Sequence, residues 1–249
     1  MQIYGFQKLT LLDYPEHIAA TVFTGGCNFR CPFCQNGDLV ENPGGQPLIS
    51  EEDVLTVLRK RQGILQGLCI TGGEPTLQKD LKDFVLKVKE LGYFVKLDTN
   101  GYRPEVLQNL LQENLLDYVA MDVKAALTNY EKVAGCPGMD TEKIRESILL
   151  LKDSGIPYEF RTTVVKGLHT LGEFEEIGQL LAGAGCYYLQ AFRESERLLG
   201  FRQHVGNPIA ENVPAEAKRI LGTFTTNEME QMASVVRKYV HRVELRGVE

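Results

Sequence analysis

The strongest constraint on this chain is a run of three cysteines, Cys27, Cys31 and Cys34, in a C-x3-C-x2-C pattern. The run follows an apolar stretch, Ile18–Phe23, that is typical of a buried strand. Each of the four irons of a [4Fe–4S] cluster takes one external ligand, so three thiolates leave one iron open to a small molecule. An open coordination position is typical of a catalytic metal site, whereas a structural site is closed. The spacing therefore indicates a catalytic iron–sulfur centre with these cysteines as its ligands.

Two other interpretations of the cysteines stay open. A zinc site would need a distant fourth ligand, and the candidates are Cys69, Cys136, Cys186 and His17. Zinc ligands usually come in closely spaced pairs, which favours the iron–sulfur interpretation. A disulfide is weaker still, because pairing two of three close cysteines leaves an odd thiol and Met1–Thr10 does not resemble an export signal.

The composition argues against several classes of function. Six cysteines without an export signal predict a reducing, cytoplasmic location. The formal net charge of −6 argues against nucleic acid as the main partner, because phosphate binding requires a basic surface. No apolar run approaches the ~20 residues of a membrane-spanning helix. The 249 residues are enough for one full core, so we expect a single domain over 1–249, with its core over about 18–193 and a C-terminal extension over 194–249.

Strand-like and helix-like segments alternate along most of the chain. The predicted strands are Ile18–Phe23, Leu68–Thr71, Tyr93–Leu97, Tyr118–Met121, Tyr158–Val165 and Tyr187–Phe192. The predicted helices are one that begins after Ser50, then Lys79–Leu91, Pro104–Glu113, Thr141–Asp153 and Leu171–Leu181. This alternation predicts an α/β fold in which crossover helices join parallel strands into a partial (β/α)6 TIM-like barrel. We expect an extended lead-in over 1–17, a loop over 200–225, and a final helix and strand at Asn227–Tyr239 and Val240–Leu245.

Polar groups are concentrated where the predicted strands end. Strands two, three and four are followed by Gly72-Gly73-Glu74-Pro75, Asp98-Thr99-Asn100-Gly101 and Asp122-Val123-Lys124. Parallel barrel strands end on one face, where barrel enzymes have their active sites. Arg161 lies inside an apolar strand and needs a partner there, and Asp122 is one candidate. For His169, a capping or surface role is as well supported as a functional one.

The cysteine run, with the aromatic Phe33 before its last cysteine, resembles that of the radical S-adenosylmethionine (SAM) superfamily. A more specific resemblance, to the glycyl-radical-enzyme activases, lies in Gly5-Phe6-Gln7-Lys8, Asp13-Tyr14-Pro15 and Val22-Phe23-Thr24-Gly25-Gly26-Cys27. Among these, the chain is most similar to the anaerobic ribonucleoside-triphosphate reductase activating proteins. The resemblance implies two cofactors, a [4Fe–4S] cluster bound by the three cysteines and SAM.

The resemblance also implies how SAM is bound. Gly72, Gly73 and Glu74 match the segment that receives the amino group of SAM. Lys124 is implied to contact the SAM carboxylate or ribose. Arg161 either pairs with an acid or contacts the same carboxylate. Phe33 is implied to lie against the adenine, although simple shielding of the cluster from water would also explain it.

Asp98 and Asp122 end neighbouring predicted strands, so in an enclosed site they need a compensating cation or a raised pKa. The similarity to the pyruvate formate-lyase activase pattern implies one such cation. In that pattern Asp98, Asp122 and carbonyl groups near Thr99 and Ala120 hold a monovalent cation beside the SAM carboxylate.

The function implied is that of an oxidoreductase that cleaves SAM reductively and generates a glycyl radical on a partner enzyme. The expected partners are an anaerobic ribonucleoside-triphosphate reductase and a flavodoxin or ferredoxin-like electron donor. One alternative is a radical SAM enzyme that acts on a small molecule, such as a deazapurine synthase. From other classes, an iron–sulfur electron carrier or a zinc-binding interaction module would need no SAM site at the strand ends.

Overall fold

The computed structural model describes residues 1–41, 43–45, 47–195, 198–199 and 221–248. The strands in this part of the chain are β1 Ile3–Thr10, β2 Ala19–Thr24, β3 Gly67–Gly72, β4 Phe94–Thr99, β5 Tyr118–Asp122, β6 Tyr158–Val164, β7 Cys186–Ala191 and β8 Arg242–Arg246. They form one sheet in which neighbouring strands follow chain order. β1 runs antiparallel to β2, and the pairs β2–β3, β3–β4, β4–β5, β6–β7 and β7–β8 are parallel. The predicted α/β class with a mostly parallel sheet is confirmed.

Helices follow most of the strands. They are α1 Gly37–Glu41, α2 Glu51–Lys60, α3 Leu81–Glu90, α4 Pro104–Gln112, α5 Tyr130–Ala134, α6 Glu142–Asp153, α7 Glu173–Leu180 and α8 Thr226–Val236. Short 3-10 turns occupy Pro43–Gly45, Pro75–Leu77 and Leu127–Asn129. The start of α2 is as predicted, because the Ser50 hydroxyl accepts a hydrogen bond of 3.1 Å from the Asp53 N–H.

The core consists of the apolar faces that the helices and strands bury. In α3 the buried residues are Leu81, Phe84, Val85 and Val88, which recur at the spacing of one helical face. In β3, Leu68, Cys69 and Ile70 are all fully buried. A strand with consecutive buried residues is covered on both faces, as expected for a parallel sheet with helices packed on it.

The chain divides into two compact units, which we describe separately. Unit 1 comprises Met1–Asn28, Asp38–Met121 and Glu146–Tyr158, and unit 2 comprises Phe29–Gly37, Asp122–Arg145 and Glu159–Glu249. The expectation of one domain, with a core over about 18–193 and an extension over 194–249, stays a prediction. Among the described residues, no helix combines the length and the apolar character needed to cross a bilayer.

The structure adds three helices or strands that the sequence did not indicate, namely β1, α1 and α5. Residues 1–17, expected as a lead-in, contain β1, which pairs with β2 through the backbone with two shifts of register. α1 and α5 were also not predicted, because the five residues of each are too few for a helical period to be visible. The predicted loop over 200–225 lies mostly outside the described residues. Its end is described, and there Gly222 forms a bridge with Lys166.

Candidate active site

The first part of the cysteine loop belongs to unit 1. Cys27 is half-buried and follows β2 after a turn in which Gly26 has a φ of +82°. The side chain of Asn100 donates a hydrogen bond of 2.8 Å to Asn28 Oδ1, and its Nδ2 lies 3.9 Å from Cys27 Sγ. Asn28 Nδ2 is buried and has no hydrogen-bond partner among the described residues. An unpaired buried N–H in the cysteine loop is available to donate to a group bound there.

The Gly-Gly-Glu segment, which begins with the last residue of β3, packs directly against this loop in unit 1. The Gly73 N–H donates to the Thr24 carbonyl and the Glu74 N–H to the Gly26 carbonyl, both at 2.8 Å. A Cβ placed on Gly73 would lie 1.9 Å from the Gly26 oxygen, so no larger residue fits there. The glycine that the sequence assigned to SAM binding is therefore also needed for backbone packing.

Glu74 is 1% exposed and lies among neutral donors. Its carboxylate accepts from the Thr76 N–H at 3.1 Å, the Thr76 hydroxyl at 2.6 Å, the Thr99 hydroxyl at 2.7 Å and the Asn100 N–H at 2.7 Å. Burial raises the pKa of Glu74, while these four hydrogen bonds oppose the shift. The carboxylate therefore ties the end of β3 to the end of β4.

Asp98 has a cationic partner within its own strand. The buried ammonium of Lys96 forms an ion pair with Asp98 Oδ1. Lys96 was not predicted as a site residue; the signal that could have found it is a lysine in an apolar strand two residues before an aspartate.

The second part of the cysteine loop belongs to unit 2. Cys31 is buried, and its Sγ lies 3.6 Å from the Ala134 carbonyl oxygen at the end of α5. The Arg30 N–H donates to the same carbonyl at 2.8 Å. Cys34 is half-buried and donates its N–H to the Cys31 carbonyl at 3.0 Å. Phe33 is 6% exposed, so its contact with adenine stays a prediction beside the simpler shielding role.

Unit 2 also contains a carboxylate with two cationic partners. Asp122 accepts from Arg161 Nε at 2.8 Å and from Lys124 Nζ at 3.0 Å. Burial opposes ionisation of Asp122, but the guanidinium of Arg161 and the ammonium of Lys124 outweigh it and lower the pKa of Asp122 below its usual range. Arg161 thus takes the first of its two predicted roles, as the partner of an interior acid.

The backbone of Lys124 is held on both sides by residues of unit 2. The Lys124 N–H donates to the hydroxyl of Tyr130 at 3.2 Å. The Lys124 carbonyl lies 2.8 Å from His169 Nε2, while His169 Nδ1 accepts from the Val165 N–H at 3.0 Å. His169 is 3% exposed and hydrogen-bonds to two backbone segments, so of the roles that the sequence left open the surface role does not apply. Tyr130 was not identified from the sequence, because nothing in a single tyrosine indicates such a contact.

The structure leaves the cysteine ligand set as a prediction. None of the six cysteines forms a disulfide. Among the described residues, no three side chains of His, Cys, Asp and Glu are grouped as they would be around a metal ion. The ligand assignment therefore depends on the sequence of the loop. Three reduced thiols within eight residues and the unpaired amide of Asn28 fit a [4Fe–4S] cluster that lacks one protein ligand.

Comparison with known proteins decides the family. The sequence profile of the radical SAM superfamily matches residues 21–181, which include the cysteine loop and the polar ends of β3, β4 and β5. The chain belongs to the radical SAM superfamily.

This radical SAM protein is similar to two kinds of curated relative. It is 30% identical to a candidate glycyl-radical enzyme activating enzyme of Methanocaldococcus jannaschii, over 99% of this chain and 96% of that protein. It is 29% identical to a candidate GTP 3′,8-cyclase of Saccharolobus solfataricus, over 73% of this chain. The chain spans only 59% of the cyclase, so the second likeness is partial.

Two solved structures share the fold of this radical SAM protein. SuiB of Streptococcus suis superposes with a TM-score of 0.64 at 13% identity over 91% of this chain. The chain spans about half of SuiB, 48% of its length. A domain of a pyruvate-formate lyase-activating enzyme of Bacteroides vulgatus superposes with a TM-score of 0.53 at 16% identity over 73% of this chain and 99% of the domain. The partial radical SAM barrel predicted from the sequence is thereby confirmed.

Proposed function

We propose that this protein is an activase, an oxidoreductase that cleaves SAM reductively and generates a glycyl radical on a partner enzyme. The observation that carries the proposal is the similarity to a candidate activating enzyme over nearly the full length of both chains. The similarity to a cyclase covers only part of that protein, so it supports the superfamily more than a substrate.

The proposal gives each part of the site a task. Cys27, Cys31 and Cys34 would hold a [4Fe–4S] cluster, which when bound supplies the electron for SAM cleavage. The backbone of Gly72 and Gly73 can approach the SAM amino group closely, because neither residue has a side chain. Lys124 presents an ammonium with three donors, of which one is directed at Asp122, so it can also bind the SAM carboxylate.

The partner we propose is an anaerobic ribonucleoside-triphosphate reductase, and the electron donor a flavodoxin or ferredoxin-like protein. Both come from the resemblance in the lead-in segment and the cysteine loop. A glycyl radical is destroyed by oxygen, so the activity belongs to an oxygen-free, reducing compartment.

Replacement of one cysteine tests the cluster. In Cys31→Ala we expect loss of both iron binding and 5′-deoxyadenosine formation after anaerobic reconstitution with iron and sulfide and addition of dithionite and SAM. Cys136→Ala is the matched control, since Cys136 is a half-buried cysteine outside the loop and should leave both intact. If Cys31→Ala still formed 5′-deoxyadenosine, the ligand assignment would be wrong.

A second experiment tests the partner. The reconstituted protein, SAM and a reductant are mixed with an anaerobic ribonucleoside-triphosphate reductase, and electron paramagnetic resonance records the glycyl radical. We expect a radical signal that appears together with 5′-deoxyadenosine. With GTP in place of the reductase, SAM cleavage coupled to consumption of GTP would instead favour the small-molecule alternative.

A further inference from the structure

Lys96 is a buried lysine beside the candidate SAM site. It lies on β4 two residues before Asp98, so the two side chains project from the same face of the strand. Lys96 is 2% exposed, and its ammonium is paired with Asp98 Oδ1. A buried ammonium is stable only with an anionic partner, and Asp98 provides that partner.

The neighbouring strands direct the Lys96 side chain toward Asp98. The register of the sheet places Cys69 of β3 and Tyr118 of β5 on either side of Lys96. Lys96 Nζ lies 3.8 Å from Cys69 Sγ and 5.9 Å from the centre of the Tyr118 ring. Sulfur and an aromatic face are weak acceptors for an ammonium, so the ion pair with Asp98 is the strong contact.

The second carboxylate of the predicted cation site is also neutralised by side chains. In unit 2, Asp122 contacts the cations of Lys124 and Arg161. A further acid of unit 2, Glu159, lies 3.9 Å from Arg161 and also accepts two hydrogen bonds of 2.8 Å from Arg246. In unit 2 the two carboxylates, Asp122 and Glu159, therefore contact three cationic side chains. An added positive ion beside Asp122 would meet net positive charge.

A monovalent cation thus does not fit the residues present. We propose that in this protein the ammonium of Lys96 replaces the monovalent cation beside Asp98, so that SAM binding requires no sodium or potassium. The inference rests on the proposed function, because it concerns SAM binding at the end of β4. It changes the role of Asp98 from a metal ligand to the anchor of an internal ammonium.

The test measures SAM affinity of the reconstituted protein in three salts. Anaerobic isothermal titration gives the Kd in potassium, sodium and tetramethylammonium chloride at equal ionic strength, since screening must be constant. We expect Kd values that agree within about twofold, because no small ion has to enter the site. Binding that is roughly tenfold tighter in potassium or sodium would overturn the inference.

A second experiment removes the Lys96 ammonium and asks whether SAM binding then depends on potassium. Lys96→Met keeps an unbranched apolar side chain one atom shorter and leaves Asp98 without the ammonium, so SAM binding should weaken by roughly tenfold in tetramethylammonium and recover in potassium. Lys89→Met is the control, because Lys89 pairs with Asp117 in the same unit at 2.7 Å and should keep the wild-type response to salt.

The outcomes separate the two proposals. If Lys96→Met binds SAM equally in all three salts, the ammonium does not replace a cation and the inference fails. If this variant does not fold, the salt series on the unaltered protein decides. Absence of SAM binding in every salt would overturn the proposed function and the inference with it, whereas salt-dependent binding overturns the inference alone.

Discussion

Two carboxylates at strand ends, Glu74 in unit 1 and Asp122 in unit 2, have opposite surroundings. Glu74 accepts four hydrogen bonds from hydroxyl and backbone N–H groups, none of which is charged. Asp122 accepts from an ammonium and a guanidinium. The pKa of Glu74 is raised by burial, whereas the cations lower the pKa of Asp122.

The charge of the surrounding donors determines which role each carboxylate can have. Neutral donors fix the position of Glu74 and join β3 to β4, so Glu74 acts in the architecture of the site. Around Asp122 the cations outnumber the anion, and Lys124 can direct further donors at an anionic ligand. Only the second arrangement is suited to bind the carboxylate of SAM.

The largest effect should follow removal of a cation from Asp122. Arg161→Met leaves a carboxylate that is one-third exposed with only Lys124, and we expect the free energy of unfolding to fall by about 3 kcal/mol. Denaturant unfolding measures the loss. The control is Arg145→Met, which breaks an exposed pair with Glu142 and should cost about 0.5 kcal/mol or less. Equal costs would mean that Asp122 behaves as a surface acid.

A somewhat smaller loss is expected at the neutral site. Glu74→Gln places an amide N–H₂ against donors, so we expect a loss of about 2 kcal/mol in the free energy of unfolding. The affinity of the folded, reconstituted variant for SAM should be unchanged. A variant with normal stability that no longer binds SAM would assign Glu74 to the ligand and contradict the comparison.

The titrations of Asp122 and Glu74 should change the free energy of unfolding in opposite directions. Asp122 has a lowered pKa, so its stabilisation is present above its ordinary pKa of 3.8 and is lost as the pH falls further. Glu74 has a raised pKa, so its ionisation destabilises the fold as the pH rises above 4.5. The cost of Asp122→Asn should therefore shrink in acid, and that of Glu74→Gln should grow, each by on the order of 1 kcal/mol. Denaturant unfolding of the metal-free proteins between pH 3 and pH 7 checks both slopes, and slopes of the same sign would refute this account.

The smallest expected effect follows loss of the hydrogen bond between the Lys124 backbone and the Tyr130 hydroxyl. Tyr130→Phe removes a hydroxyl that accepts from the Lys124 N–H at 3.2 Å and lies 3.4 Å from the Asp122 carbonyl. We expect a loss of about 1 kcal/mol in the free energy of unfolding, together with weaker SAM binding. Weaker SAM binding without any loss of stability would show that the hydroxyl contacts SAM directly.

The sequence was sufficient for the parallel strands and their crossover helices, because buried strands and amphipathic helices leave distinct apolar periods. It also named the Arg161–Asp122 pair as one of two alternatives. The sequence could not show that the Glu74 carboxylate accepts hydrogen bonds from Thr99 and Asn100, because these residues are about 25 positions away along the chain. Lys96 was missed because the predicted strand ended at Leu97, which separated the lysine from Asp98. The observed strand continues to Thr99 and places both residues on one face.

The contact between Gly73 and Gly26 has a consequence for evolution and for engineering. Because their backbones touch with no room for a methyl group, a change in the course of either segment displaces the other. A longer or reshaped cysteine loop could be accommodated only by a matching change after β3. The turn before Cys27 and the Gly72-Gly73 pair at the end of β3 should therefore be inherited together, and an engineered variant should change them together.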